Sequence, residues 1–324
     1  MHFSQSKDIK DAIVKAKHIL INVHRNPDLD SVGSALALSL VLKKMGKVAT
    51  IVGPHRIDPK HAFISDSNNI KIINYKTFDF SPFDLFFILD SGSPQIVTDD
   101  PQVLLPQIPR IVIDHHKTNN IKGDIKLLKD DASATSEILF GLFQDWGMTI
   151  SPDIATMLFA GLSHDTLFFK YTENDKDTFT AAASLIRMGA DKDLILDRVF
   201  NNTDATFLCN TGKVLQQLKI QNGFAWVALS YKEYKKMGSP LGMREYLADF
   251  FISTIAHTSF GIVMLEEKPG KLCISFRGKK GVDVSKIAQK LDGGGHLYRA
   301  GATVYEDFKT AVGRVLSCAS SATA

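Results

Sequence analysis

Short unbroken apolar runs alternate with stretches of helical period through the first half of the chain. "HILINV" (His18 to Val23), "VATIVG" (Val48 to Gly53), "DLFFILD" (Asp84 to Asp90) and "RIVID" (Arg110 to Asp114) are too short for buried helices. Their richness in Ile, Leu, Val and Phe predicts strands covered on both faces. "SALALSLVLKKMG" predicts a helix ending at Gly46, and "SATSEILFGLFQDWG" and "SPDIATMLFAGLSHD" predict two more, the last opening on Ser-Pro. This alternation implies an α/β fold, a mostly parallel sheet with helices on both faces.

The texture then changes. "DTFTAAASLIRMGADKDLILDRVFNN" reads as helical and ends in a polar Asn pair that marks a junction. Beyond it come a helix ("ATFLCNTGKVLQQL"), strands ("FAWVALS", "FGIVMLEE", "KLCISFRG"), an amphipathic helix ("VSKIAQKL") and the loop "DGGGH". Helices mixed with adjacent strands predict a smaller α+β domain. The expected division is a first domain over 1–190, a linker over 191–204 and a second domain over 205–324, with "SCASSATA" as a frayed tail.

Composition narrows the class. The chain has 324 residues, enough for two cores, with 44% hydrophobic and 23% charged residues, as in a globular protein. A formal charge of +3 is too near neutral for an extended nucleic-acid stripe, so no stable complex with a long strand is expected. No stretch resembles a membrane span, and the charged N-terminal segment lacks the apolar centre of a signal peptide. Three cysteines without metal-like spacing fit reduced thiols, so a cytoplasmic protein with no membrane partner is expected.

The strand ends carry the candidate chemistry. The first strand runs into His24, Asp28 and Asp30; the third ends in Asp90, followed by "SGS"; the fourth ends in Asp114, followed by His115 and His116. Asp165 closes the apolar helix ending "GLSHD". Each alone reads as a turn or cap, and Asp30 could cap the helix that opens at Ser31. In open parallel sheets, however, sites form outside the carboxyl ends of the strands, where these side chains should converge. Carboxylates brought that close repel, and a divalent cation relieves the repulsion. Carboxylate and imidazole donors without thiolate suit Mn²⁺, Mg²⁺ or Fe²⁺, and the histidine content favours manganese. Two ions about 3.5–4 Å apart, sharing one carboxylate, are the usual arrangement for an in-line displacement at phosphorus.

"HRNPDLDSVGS", "LDSGS", "DHHKTN" and "GLSHDT" resemble, in order, the four motifs of the DHH phosphoesterase superfamily. "RGKKGVDVSKIAQKLDGGGHLYRAGA" resembles its C-terminal substrate domain with the GGGH loop. The likeness is to the two-domain branch of nanoRNases and stand-alone cyclic-di-AMP phosphodiesterases. It implies that His24 and Asp28 hold one metal, that Asp30, His115 and Asp165 hold the other, and that Asp90 bridges them. It also implies that Asp114 orients a histidine and that His116 stands by the scissile phosphate as a hydrogen-bond donor or proton source. Three positions depart from the pattern: Ser31 for alanine, Leu167 where glycine often follows "DT", and Arg299 where a small residue is usual.

In the second domain, "DGGGH" read alone is a helix C-cap and loop. With the resemblance, Gly293, Gly294 and Gly295 let backbone N–H groups approach a phosphate or base, and His296 and Arg277 grip a terminal phosphate, with Arg299 adding a cation nearby. The implied activity is manganese-dependent phosphodiester hydrolysis on a short oligonucleotide or dinucleotide, releasing 5′-mononucleotides, with 3′-phosphoadenosine 5′-phosphate as a second substrate. Cyclic-di-AMP or pApA hydrolysis, and a RecJ-like exonuclease acting on single-stranded DNA, stay open as alternatives; so do a homodimer and the identity of the metal.

Overall fold

The computed structural model describes residues 2–58, 61–64, 67–199, 201–279, 281–295 and 297–321. They form two compact units, Met1–Asn202 and Thr203–Ala324. In the first unit, α1 (Ser6–Lys15), β1 (His18–Asn22), α2 (Leu29–Lys44), β2 (Val48–Gly53) and β3 (Lys71–Ile72) precede β4 (Leu85–Leu89) and α3 (Pro94–Thr98). β5 (Arg110–Asp114), β6 (Ile125–Leu128), α4 (Thr135–Asp145), α5 (Pro152–Asp165), α6 (Asp175–Arg187) and α7 (Lys192–Val199) complete it. Helix α7 falls inside the stretch expected as linker, and its Ile195 belongs to the first unit's core.

The six strands pair in parallel in the order β3-β2-β1-β4-β5-β6. The chain leaves β1 toward β2 and β3, then returns to β4 on the other side of β1. The crevice outside the carboxyl ends of β1 and β4 is therefore the topological switch point, where ligands of open parallel sheets bind. Alternate strand positions serve two cores. Ile19, Ile21, Phe87, Leu89, Ile111 and Ile113 pack with α1, α2, α4 and α5. Leu20, Phe86, Ile88 and Val112 pack with Val97 of α3 and with Tyr75, Leu105 and Ile121 from connecting segments. Long helices thus cover one face, while the short α3 and aromatic-rich connections close the other.

Helix α2 is buried almost all round, as its mostly apolar sequence demands. It crosses α5 closely: a Cβ on Gly33 would lie 2.4 Å from the Met157 carbonyl oxygen. Its N-cap is Asp28, whose Oδ1 accepts the Asp30 and Ser31 amides at 3.0 Å each. The alternative of Asp30 as that cap is corrected: its carboxylate reaches a different helix, described below.

The second unit comprises α8 (Ala205–Leu215), β7 (Lys219–Gln221), β8 (Phe224–Leu229), α9 (Tyr231–Lys236), α10 (Met243–Phe250), β9 (Phe260–Lys268) and β10 (Lys271–Gly278). It ends with α11 (Ser285–Gln289), β11 (Gly294–Gly295), β12 (Arg299–Val304) and α12 (Phe308–Ser320). Its sheet runs β11-β12-β10-β9-β8-β7, parallel only between β8 and β9. One face carries Phe260, Ile274 and Phe276, packed with Ile287 of α11 and Val315 of α12; the other carries Val227 and Val263, packed with Val214 of α8, Tyr234 of α9 and Leu247 of α10. Ser317–Ser320, expected as part of a frayed tail, continue α12, with Ala319 buried; residues 322–324 lie outside the described set. Among the described residues no helix is long and apolar enough to cross a membrane.

Candidate metal centre

Three strand ends and one helix end meet at the switch point. His24 follows β1; Asp28 and Asp30 open α2; Asp90 follows β4; Asp114, His115 and His116 end and follow β5; Asp165 ends α5. Asp90 adopts the left-handed conformation (φ 50°), a cost for a residue with a side chain that is characteristic of functional turns. Donor atoms of His24, Asp28 and Asp90 lie within 4.8 Å of one another, and so do those of Asp30, Asp90, His115 and Asp165. These two groups of donors therefore share Asp90, which also lies within the same distance of His115 and His116 donor atoms.

The distances define a bridge. His24 Nε2 lies 3.3 Å from Asp90 Oδ2 and 3.6 Å from Asp28 Oδ1. His115 Nε2 lies 3.5 Å from Asp90 Oδ1 and 3.2 Å from Asp165 Oδ2. Each imidazole is pinned from behind: His24 Nδ1 donates to the Arg25 carbonyl at 2.8 Å, and His115 Nδ1 to the Ala132 carbonyl at 3.3 Å. A carbonyl only accepts, so Nδ1 carries the proton and Nε2 faces the carboxylates, the orientation of a metal-ligating histidine. The donor set fits two divalent cations.

Electrostatics agree. Burial alone would depress the His24 and His115 pKa values, yet the facing carboxylates, Asp28 and Asp90 for His24, Asp165 and Asp90 for His115, hold both well above the ordinary imidazole value. Burial opposes ionisation of Asp28, Asp90 and Asp165 as well, but the histidines beside them keep all three below the usual carboxylate range. Asp30 is the exception: burial and then the Asp90 and Asp165 charges push it well above. Protonated histidines here carry positive charge where cations would.

Asp30 shows what sequence reading missed. Its Oδ2 accepts the Thr135 amide at 2.7 Å and its Oδ1 the Ser136 amide at 3.0 Å. The N-cap of α4 is Ala134, which has no capping side chain, so a carboxylate from another segment caps the helix. The absent local cap was the available signal. A Cβ on Gly161 would approach Asp30 Oδ1 to 2.5 Å, so α5 keeps glycine there.

A second layer positions His116. Its Nδ1 donates to Asp114 Oδ1 at 2.7 Å. Asn119 Nδ2 bonds the other Asp114 oxygen at 2.8 Å and the Ser91 carbonyl at 2.9 Å. Burial would raise the Asp114 pKa, but His116 and Asn119 bring it down to about 2. Burial likewise opposes the His116 cation, and Asp114 raises its pKa in spite of that. Leu167 takes φ 46°, the conformation for which glycine is suited.

In the second unit, Arg277 is buried and its Nε donates to Asp249, while Arg299 Nη2 lies 3.8 Å from the same carboxylate. β10 and β12 place Arg277 directly opposite Arg299. Like charges so paired require a counter-ion, and Asp249, which sequence reading missed, supplies one. Gly294 and Gly295 pair as β11 with β12, and Gly293 lies so close to it that a Cβ would fall 2.2 Å from the Gly301 carbonyl oxygen. His296 lies outside the described residues.

Comparison with known proteins bears on these features. The DHH family N-terminal domain matches residues 18–162, and the DHHA1 domain matches residues 241–321. The bifunctional oligoribonuclease and PAP phosphatase NrnA of Thermus thermophilus is 29% identical over 292 residues, 88% of this chain and 84% of that protein. The cyclic-di-AMP phosphodiesterase PdeA of Listeria monocytogenes is 26% identical over 93% of this chain, which spans 47% of that protein. The crystal structure of an exopolyphosphatase-related protein from Bacteroides fragilis superposes with a TM-score of 0.87 at 24% identity, over 97% of this chain and 94% of the other.

Proposed function

Because the chain belongs to the DHH family of phosphoesterases and carries the DHHA1 domain, we propose that it is a manganese-dependent phosphodiesterase that shortens oligonucleotides of a few residues and releases 5′-mononucleotides. The observation that carries this reading is the pair of donor groups sharing Asp90 at the switch point of the sheet. His24 and Asp28 would hold one cation, Asp30, His115 and Asp165 the other, and Asp90 both. Such a pair supplies charge stabilisation at the phosphoryl oxygens and a water of lowered pKa.

The chain's own residues supply orientation and a proton. Water attacks phosphorus and the bond from phosphorus to the 3′ oxygen breaks, leaving a 3′ hydroxyl and a 5′-monophosphate. Asp114 fixes His116 through Nδ1 and favours its imidazolium form, whose Nε2 proton would pass to the departing 3′ oxygen. Asn119 holds Asp114 in place. Removal of the 3′-phosphate from 3′-phosphoadenosine 5′-phosphate breaks the same kind of bond, and the name of the Thermus relative couples these two activities. In the second unit, Arg277, Arg299 and the glycine strand would receive the terminal phosphate, together with His296. The free cysteines 209, 273 and 318 fit a reducing cytoplasm.

Cyclic-di-AMP or pApA hydrolysis is the second reading, supported by the Listeria relative. One assay separates the two. Purified protein with Mn²⁺ is offered RNA and DNA of two to twenty-four nucleotides, pApA, cyclic-di-AMP and 3′-phosphoadenosine 5′-phosphate. Dinucleotides to tetranucleotides should turn over fastest, and Asp90→Asn should abolish turnover of all. Fastest turnover on the longest strands, or an active Asp90→Asn variant, overturns the reading.

A further inference from the structure

A further group of donors, without Asp90, stands beside those that contain it. Ligand atoms of Asp28, His164 and Asp165 lie within 4.8 Å of one another. His164 is in the last turn of α5, where a histidine is favoured by the helix dipole alone. Sequence adjacency accounts for the 3.3 Å contact of its Nδ1 with Asp165 Oδ1. It does not account for the approach of Asp28, which arrives from the loop after β1. His61, from a third segment, packs edge-on against His164, with ring centroids 5.7 Å apart and planes at 80°. Its Nδ1 lies 3.4 Å from the carbonyl oxygen of Pro27, the neighbour of Asp28. His61 thereby joins the loop that bears Asp28 to the end of α5 and packs against the His164 ring.

We propose that Asp28, His164 and Asp165 form a third divalent-cation site that fills together with a phosphate-bearing ligand. The proposal rests on the two-cation reading above. Two carboxylates and an imidazole are the same donor types as in the His24, Asp28 and Asp90 group, and suit the same ions. The dependence on phosphate follows from charge. Asp28, Asp30, Asp90 and Asp165 already offset two divalent ions when ionised, so a third is favourable once a phosphate brings further negative charge. Three protein donors leave positions open for phosphate oxygens and water. A nucleoside monophosphate, near a double negative charge at neutral pH, meets that need better than an internal phosphodiester. The site would therefore favour substrates or products with a terminal phosphate.

Counting bound ions tests this directly. Metal-stripped full-length protein is dialysed to equilibrium against Mn²⁺, with and without adenosine 5′-monophosphate, and the excess manganese on the protein side is measured. The expected result is two ions per chain without the nucleotide and three with it. His164→Ala should hold two in both conditions, and His164→Asp, which restores a donor, should regain the third. Equal melting temperatures of the manganese-loaded variants show that folding is intact. Two ions on the native protein in both conditions, or three on His164→Ala, overturns the third site and leaves the two-cation reading standing. Fewer than two without nucleotide overturns that reading and this inference with it.

Discussion

Asp90 gathers the most consequences of any single side chain: it is buried, left-handed in backbone, and in contact with His24 on one oxygen and His115 on the other. In the metal-free protein these histidines supply the positive charge, which gives stability a definite pH dependence. A raised histidine pKa stabilises the fold fully below the unfolded value of about 6.5 and loses that contribution as pH rises through the folded value. Asp30, also raised, acts in the opposite sense to the other carboxylates: the unfolded chain loses its proton first, so stability falls from about pH 4 upward until the folded value is passed. Asp28, Asp90, Asp114 and Asp165, all lowered, stabilise above about pH 4 and lose the effect as pH falls. Metal-free protein should thus melt highest toward the acidic end of the window between about pH 4 and 6.5, because Asp30 costs more as pH rises through it. Mn²⁺ should raise the melting temperature more at pH 8 than at pH 6, because bound cations replace the histidine protons. Calorimetric scans from pH 4 to 9 with and without Mn²⁺ check this; an equal gain at both pH values contradicts it.

Among the elements, the contact of α2 with α5 decides whether the centre assembles, since these helices carry Asp28, Asp30 and Asp165 between them. Glycines set their spacing. Gly33→Ala would push a methyl group against the Met157 backbone, which has no rotamer by which to yield. We expect a loss of about 1–3 kcal/mol in urea unfolding, with weakened Mn²⁺ binding because the loop bearing Asp28 shifts with α2. Unchanged stability and affinity would show that the helices can separate freely. Helix α4 teaches a related lesson: its start is stabilised by Asp30 of α2, so the centre and the helix packing depend on the same carboxylate.

Over the whole molecule, each unit has its own sheet and a buried core on both faces of it. Every donor of the centre belongs to the first unit, and the Arg277, Arg299 and Asp249 cluster belongs to the second. Residues 1–202 and 203–324 produced separately should each unfold in one cooperative transition, and only the first should bind Mn²⁺. Circular dichroism melts and manganese dialysis of the two pieces check this. A second piece without a transition would show that its two cores do not suffice. Arg277 and Asp249 also show how burial changes an expectation: an arginine at a strand end becomes an internal ion pair, so its removal would disturb packing as well as binding.

The sequence by itself determined the elements and the motif order, because apolar period and capping chemistry are local: β1, β2, β4, β5, α2, α4 and α5 were all legible from short windows. It also identified His24, Asp28, Asp30, Asp90, His115 and Asp165 as candidates, since polar residues at the ends of apolar runs stand out. Tertiary structure alone decided which donors share a position, that Asp30 caps α4, that His61 meets His164, and that Asp249 stands between two arginines. Those relations depend on distances between segments remote in sequence. They arise from strand order and helix crossings, on which no local window carries information.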